Sequence, residues 1–224
     1  MRRNMSEPPA FQQVLKTKST VHNPILTSYQ SQWRECLVAF GLTFLPATAF
    51  YYVFMFLPNY LGSILHFNTS KVLGDNSLSL LRRLCIIPFL GLAADKIGGV
   101  RIARIYCILF LLLSYPLLYG IIYHSTFMNT FISGFALLTA LNAATTPGLL
   151  VNLFKLKTRC TTLSFTFNLS FGVFGGLVPL ISFFLVSKCE SKLASIYYLM
   201  FSAMISLITS FFLKSTRSSI RDQE

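Results

Sequence analysis

The stretch that decides the fold is Ile105-Tyr-Cys-Ile-Leu-Phe-Leu-Leu-Leu-Ser-Tyr-Pro-Leu-Leu-Tyr-Gly-Ile-Ile122, which contains no charged residue. Its apolar side chains cover every side of a helix, as expected of one surrounded by apolar material. A hydrocarbon core about 30 Å thick needs roughly 20 helical residues at 1.5 Å each, and this block is of that order.

Outward from it, further apolar blocks lie at about 36–61, 74–94, 127–154, 160–186 and 194–213. The composition agrees, at 54% hydrophobic and 12% charged residues, where soluble domains carry about a quarter charged. The expected fold class is all-α: an integral membrane, six-transmembrane-helix bundle over residues 35–213. The second block is the weakest of the six and the last is short. Pro46 and Pro58 fall inside the first block, where kinks are tolerated if neighbouring helices or waters satisfy the freed backbone groups. Residues 1–34 are polar and basic, and the tail from Lys214 is polar. No apolar leader appears in residues 1–34, so no cleavable signal peptide is expected.

The formal net charge of +12 does not point to nucleic acid, whose binders gather basic residues on one accessible face. Here Lys and Arg stand at the ends of apolar blocks. Arg2, Arg3, Lys16, Lys18, Arg34, Lys96, Arg101, Arg104, Lys155, Lys157, Arg159, Lys214, Arg217 and Arg221 fall on one side of a six-span topology. Only Lys71, Lys188 and Lys192 fall on the other. The positive-inside rule places both termini in the cytoplasm.

Enzyme chemistry is thinly supported. His22, His66 and His124 lie in the lead segment or in loops, so no span interior holds a histidine base. Cys36, Cys85, Cys107, Cys160 and Cys189 show no C-x-x-C spacing and read as small hydrophobes. No enzyme activity, cofactor or metal site is expected. Among the acidic residues, only Asp95 stands at a span end in a recognisable setting, and no intramembrane carboxylate stands out as a proton carrier.

Polar residues inside spans carry more weight, because an unsatisfied polar group in hydrocarbon costs several kcal/mol. Thr48, Tyr51 or Tyr52, Met55 and Asn59 recur at helical spacing on one face of the first block. Asn168, Gly172, Gly175 and Pro179 form a similar stripe in the fifth. Gly172, Gly175 and Gly176 read as close helix packing. Asn142, Asn168 and the tyrosine pair read as facing a polar cavity. Arg82 and Arg83 lie in the second block. They read as an anion contact, as a misplaced span boundary, or as a sequence losing its function.

The segments Thr158-Arg159-Cys160-Thr161-Thr162-Leu163, Phe167-Asn168 and Phe171-Gly172-Val-Phe-Gly175-Gly176-Leu-Val-Pro179 resemble a loop and eleventh helix of the major facilitator superfamily. The resemblance is to its metabolite–proton symporter branch, typified by bacterial proline/betaine transporters. Gly91-Leu-Ala-Ala-Asp95-Lys96-Ile97-Gly98 is similar to the superfamily's loop between helices eight and nine. Tyr51-Tyr52-Val-Phe-Met-Phe-Leu-Pro58-Asn59-Tyr60-Leu61 is similar to the branch's aromatic seventh helix. Arg2-Arg3-Asn-Met-Ser-Glu7 is similar to the polar exit from the sixth helix into the central loop.

The resemblance implies the C-terminal half, helices seven to twelve, of a proton-coupled transporter of a compatible solute such as proline or betaine. It implies alternating access around a midplane site, a bacterial inner-membrane location, and a gating loop of Gly91, Asp95, Lys96, Gly98, Arg101 and Arg159. Tyr51, Tyr52, Tyr60, Asn142 and Asn168 are the expected substrate-pathway residues, and a quaternary ammonium suits tyrosine faces. Expected partners are the bilayer, solute and protons, and a separate N-terminal half or a second copy of the chain. The competing reading is a non-transporting remnant or homodimeric assembly module. The chain departs from the pattern at Gly99-Val100, where adjacent arginines are usual, and at Asn152, often an acidic position.

Overall fold

The computed structural model describes residues 32–154 and 159–213. The described residues form helices and connecting turns, with no strand among them. Five helices are long and apolar enough to cross a membrane: α1 (Trp33–Ile64), α2 (Thr69–Ile97), α3 (Gly99–Tyr123), α4 (Met128–Leu153) and α5 (Arg159–Cys189). The sixth, α6 (Ile196–Phe211), has 16 residues, which is about 24 Å of helix. All six expected blocks are therefore helical, the last one short of a full crossing. What the sequence leads one to expect of residues 1–31, 155–158 and 214–224 lies outside the described residues.

Helix ends follow local chemistry. The Asn68 side chain accepts a hydrogen bond from the Lys71 amide at 3.2 Å and so caps α2. That start is earlier than the expected one at about residue 74. Gly98 alone separates α2 from α3, at φ 103°, a conformation that favours glycine. At the end of α6, Arg104 of α3 donates to the Ser210 carbonyl at 3.3 Å, where a cation suits the helix dipole.

The helices are not equally covered. In its most apolar stretch α1 is 67% buried and α4 56%, against 11% for α2 and 22% for α5. α1 runs through the interior beside α4, α5 and α6, α3 packs between α4 and α6, and α2 lies along α4. α2 and α5 thus present most of their surface outward.

Proline and wide turns shape α1 and α5. Pro58 lacks the N–H that would bond the Phe54 carbonyl. Asn76 of α2 donates its Nδ2 to that carbonyl at 3.4 Å. The surrounding chain winds as π-helix over Tyr52–Phe56 and Tyr60–Ile64. In α5 the π segment Phe171–Gly175 offers the Phe174 carbonyl to the Tyr198 hydroxyl at 3.2 Å. Unsatisfied backbone in hydrocarbon is costly, and side chains of neighbouring helices supply these partners.

Candidate functional site

The aromatic stripe of α1 divides between interior and surface. Tyr52 and Tyr60 are wholly buried. The Tyr52 hydroxyl lies 2.9 Å from Ser195 Oγ, and the Tyr60 hydroxyl donates to the Lys192 carbonyl at 3.0 Å. Both pin α1 to the connection between α5 and α6. The ring of Tyr60 stacks on Phe56 at 5.3 Å, so neither tyrosine presents an open face in this structure. Tyr51, about 100° further round the helix, is half-buried and lies against Gly175 of α5.

The asparagines divide in the same way. Asn142 is buried and accepts from the Thr146 hydroxyl at 2.9 Å. Thr146 Oγ1 lies 3.3 Å from the Tyr106 hydroxyl of α3. Asn168 is exposed and donates only to the Ser164 carbonyl of its own helix, at 2.8 Å. Asn59 of α1 is also exposed and donates to the Met55 carbonyl at 2.9 Å. Of the expected pathway residues, Tyr51 and Asn168 therefore reach the bundle surface, while Tyr52, Tyr60 and Asn142 are interior.

Two of the three glycines have a visible reason to lack a side chain. A Cβ on Gly175 would overlap the Tyr51 ring, and one on Gly176 would strike the Gly172 carbonyl. A Cβ on Gly172 meets nothing within 4 Å, so of these three glycines it is Gly175 that packs closely against another helix. Pro179 stands at the start of the helical stretch that resumes at Val178.

At the α2–α3 turn, Asp95, Lys96, Gly98 and Arg101 line a cleft of about 530 Å³ with Thr145 and Asn152 of α4. Asn152, whose position is often acidic in the resembled branch, thus faces the same cleft as Asp95. Gly91 does not line it, and Arg159 donates its Nε to the Phe154 carbonyl at 3.1 Å, closing the end of α4. No cluster of metal-ligating side chains occurs among the described residues.

The polar residues least expected from the sequence lie between α2 and α4. Arg82 donates through Nη1 to Asn129 Oδ1 at 2.6 Å and also to the Ser133 hydroxyl. Asn129 in turn donates its Nδ2 to Asp75 Oδ1 at 2.7 Å. One amide therefore joins a carboxylate and a guanidinium two helical turns apart. Asp75, within α2, is a carboxylate that the sequence reading did not single out. Arg83 points the other way, with its guanidinium carbon 5.6 Å from the ring centroids of both Phe50 and Phe54 of α1. The 100° step between neighbours sends one arginine to α4 and the other to α1. Both sit in the middle of a continuous helix.

A hydroxyl seam joins α1 to α6. Thr48 donates to Ser202 Oγ at 2.7 Å. Ser206 Oγ accepts from the Leu45 amide at 3.1 Å and donates to the Gly41 carbonyl at 2.6 Å. Leu45 and Gly41 are an ordinary helical pair, so the serine stands inside a rung of the α1 ladder. Sequence reading passed over this seam. Its signal is the run Ser202, Ser206, Ser210 at spacing four on one face of an apolar helix.

Comparison with known proteins gives this arrangement its context. The chain is 32% identical over 222 residues to a Staphylococcus aureus (strain COL) protein named as a proline/betaine transporter, covering 95% of this chain and 46% of that protein. The chain is homologous to about half of a proline/betaine transporter. It is also 26% identical over 192 residues to the glycine betaine/proline/ectoine/pipecolic acid transporter of Dickeya dadantii (strain 3937), covering 82% of this chain and 37% of that one. Identity to the proline/betaine transporter of Escherichia coli (strain K12) is 25% over 235 residues, covering 96% of this chain and 45% of that one. The chain thus spans about half the length of the curated relatives it matches. No family model and no solved structure matches it.

Proposed function

We propose that the chain is the C-terminal six-helix half of a secondary transporter that takes up a small zwitterionic solute, such as proline or betaine, with protons. The observation that carries this reading is homology along nearly the whole chain to about half of transporters named for those solutes. The uneven cover of the helices supports it. α2 and α5 carry their surfaces outward, and the exposed polar side chains Asn59 and Asn168 need a polar surrounding that lipid does not provide. A second six-helix unit opposite them encloses a water-filled pathway, which is the arrangement alternating access requires. The cleft at Asp95, Lys96 and Arg101 is the cytoplasmic gate, in a bacterial inner membrane with both termini inside.

Uptake of radiolabelled proline and glycine betaine tests this, with the chain expressed alone and with a six-helix N-terminal half supplied as a second polypeptide. Uptake is expected only when both are present. No uptake with both halves folded in the membrane would leave the chain a non-transporting membrane protein. Concentrative uptake by the purified chain reconstituted alone would make it a homodimeric transporter instead.

A further inference from the structure

Two arginines stand side by side in the middle of α2, and the structure treats them differently. Arg82 is held by Asn129 and Ser133, and through Asn129 it is linked to the carboxylate of Asp75. Arg83 has no such partner. Its Nε is buried without a hydrogen bond, and no carboxylate pairs with it among the described residues. Its neighbours are the ring faces of Phe50 and Phe54. Those contacts hold a guanidinium by cation–π attraction and leave in-plane N–H donors available, which suit a carboxylate.

The depth of Arg83 limits what the anion can be. The residue lies midway along the 29 residues of α2, about 21 Å of helix axis from either end. With α2 centred on a bilayer, that is about 15 Å from either edge of the hydrocarbon core. A phosphate headgroup is then beyond the reach of a snorkelling side chain. An anion must come to Arg83 from within the protein's own pathway. The rings beneath it continue across α1: Phe50 meets Tyr51 edge-on at 5.9 Å, and Tyr51 meets Gly175 of α5. A charged donor thus stands at one end of an aromatic strip, the arrangement that complements a molecule with a carboxylate at one end and a cationic nitrogen at the other.

We propose that Arg83 binds the carboxylate of the transported zwitterion, an assignment that rests on the transport reading above. Arg82 is a positioning residue for α2 and α4.

The test uses the full chain in lipid nanodiscs, with and without the companion half. Binding of radiolabelled glycine betaine and proline is measured with choline, which keeps the trimethylammonium group and lacks the carboxylate, as the control competitor. Betaine is expected to compete and choline not to. Arg83→Gln is expected to raise the Kd for betaine and proline at least tenfold while the protein still elutes as a single species. Unchanged Kd values in a well-folded Arg83→Gln protein would overturn the proposal and leave the transport reading standing. Should that variant fail to fold, wild-type protein decides: modification of Arg83 by phenylglyoxal, followed by mass spectrometry, should be slowed by betaine and proline and not by choline. Absence of protection would overturn the proposal. So would blocking by the companion half alone with no effect of solute, since Arg83 would then be paired with an acidic side chain of that polypeptide. Binding of neither solute by wild type, with or without the companion half, would overturn both readings.

Discussion

The ring of Tyr51 occupies the space that a side chain on Gly175 would need. α1 and α5 can approach this closely only because one partner has no Cβ, and the contact joins the interior helix to one of the two most outward-facing helices. Gly175→Leu should therefore lower membrane yield and melting temperature, and Gly175→Ala should cost about 1–3 kcal/mol as an overpacked site. Tyr51→Ala should recover part of that loss. Gly172→Leu, with nothing within 4 Å, should stay within about 0.5 kcal/mol of wild type. Fluorescence-detected thermal unfolding of the detergent-solubilised chain measures all four, and equal losses at Gly172 and Gly175 would count against the packing assignment.

Removing the α1–α6 seam should weaken the bundle by a modest amount. Interhelical hydrogen bonds between membrane helices average about 0.6 kcal/mol and reach about 1.7. A double-mutant cycle on Thr48→Val and Ser202→Ala should return a coupling in that range. Ser206→Ala should cost at least as much as Ser202→Ala, because the Leu45 amide and the Gly41 carbonyl both lose their partner. A coupling indistinguishable from zero would show that the two hydroxyls do not meet.

Asn129 is the amide on which Asp75 and Arg82 both depend. Asn129→Leu leaves a carboxylate and a guanidinium without their shared partner, and hydrogen bonds to charged groups contribute about 1.5–3 kcal/mol. The expected outcome is a loss of that order. Adding Asp75→Asn and Arg82→Gln to the leucine variant should return part of it, since the stranded charges are gone. Thermal unfolding of the single and triple variants checks this, and a further loss in the triple variant would refute the network.

Asn168 hydrogen-bonds only within its own helix and faces outward. Asn168→Ala should leave the melting temperature of the chain unchanged. In a two-half uptake assay it should lower proline and betaine transport by several-fold, because the proposed pathway lies on that face. Asp95→Asn should behave in the same way from the cytoplasmic cleft. Loss of folded protein in parallel with uptake would remove the pathway role from both residues.

Orientation is tested from outside the cell. Starting from a chain with Cys36, Cys85, Cys107, Cys160 and Cys189 replaced, single cysteines at Ser63 and Lys71 should react with an impermeant maleimide in intact cells. Cysteines at Lys96 and Arg101 should react only after permeabilisation. The reverse pattern would invert the topology derived from the Lys and Arg distribution.

The sequence alone determined that this chain is a bundle of six apolar helices, and it placed their centres within a few residues. That was legible because a bilayer demands length and apolarity of each span separately, and these are local properties. The α2–α3 turn was legible for the same kind of reason, since Gly98 answers a local backbone need. Which face of each helix meets which neighbour depends on residues far apart in the chain, and only the tertiary structure decided it. Tyr51 and Tyr52 look interchangeable in sequence, yet the 100° between them sends one toward α5 and buries the other against Ser195. Arg82 and Arg83 part in the same way, one into a network with Asn129 and Asp75, the other over two phenylalanine rings with its donors unclaimed. α2 itself begins more than a turn earlier than hydropathy indicated, because Asn68 caps it. Hydropathy averages over a window, whereas a helix starts where a single side chain satisfies the first free amides.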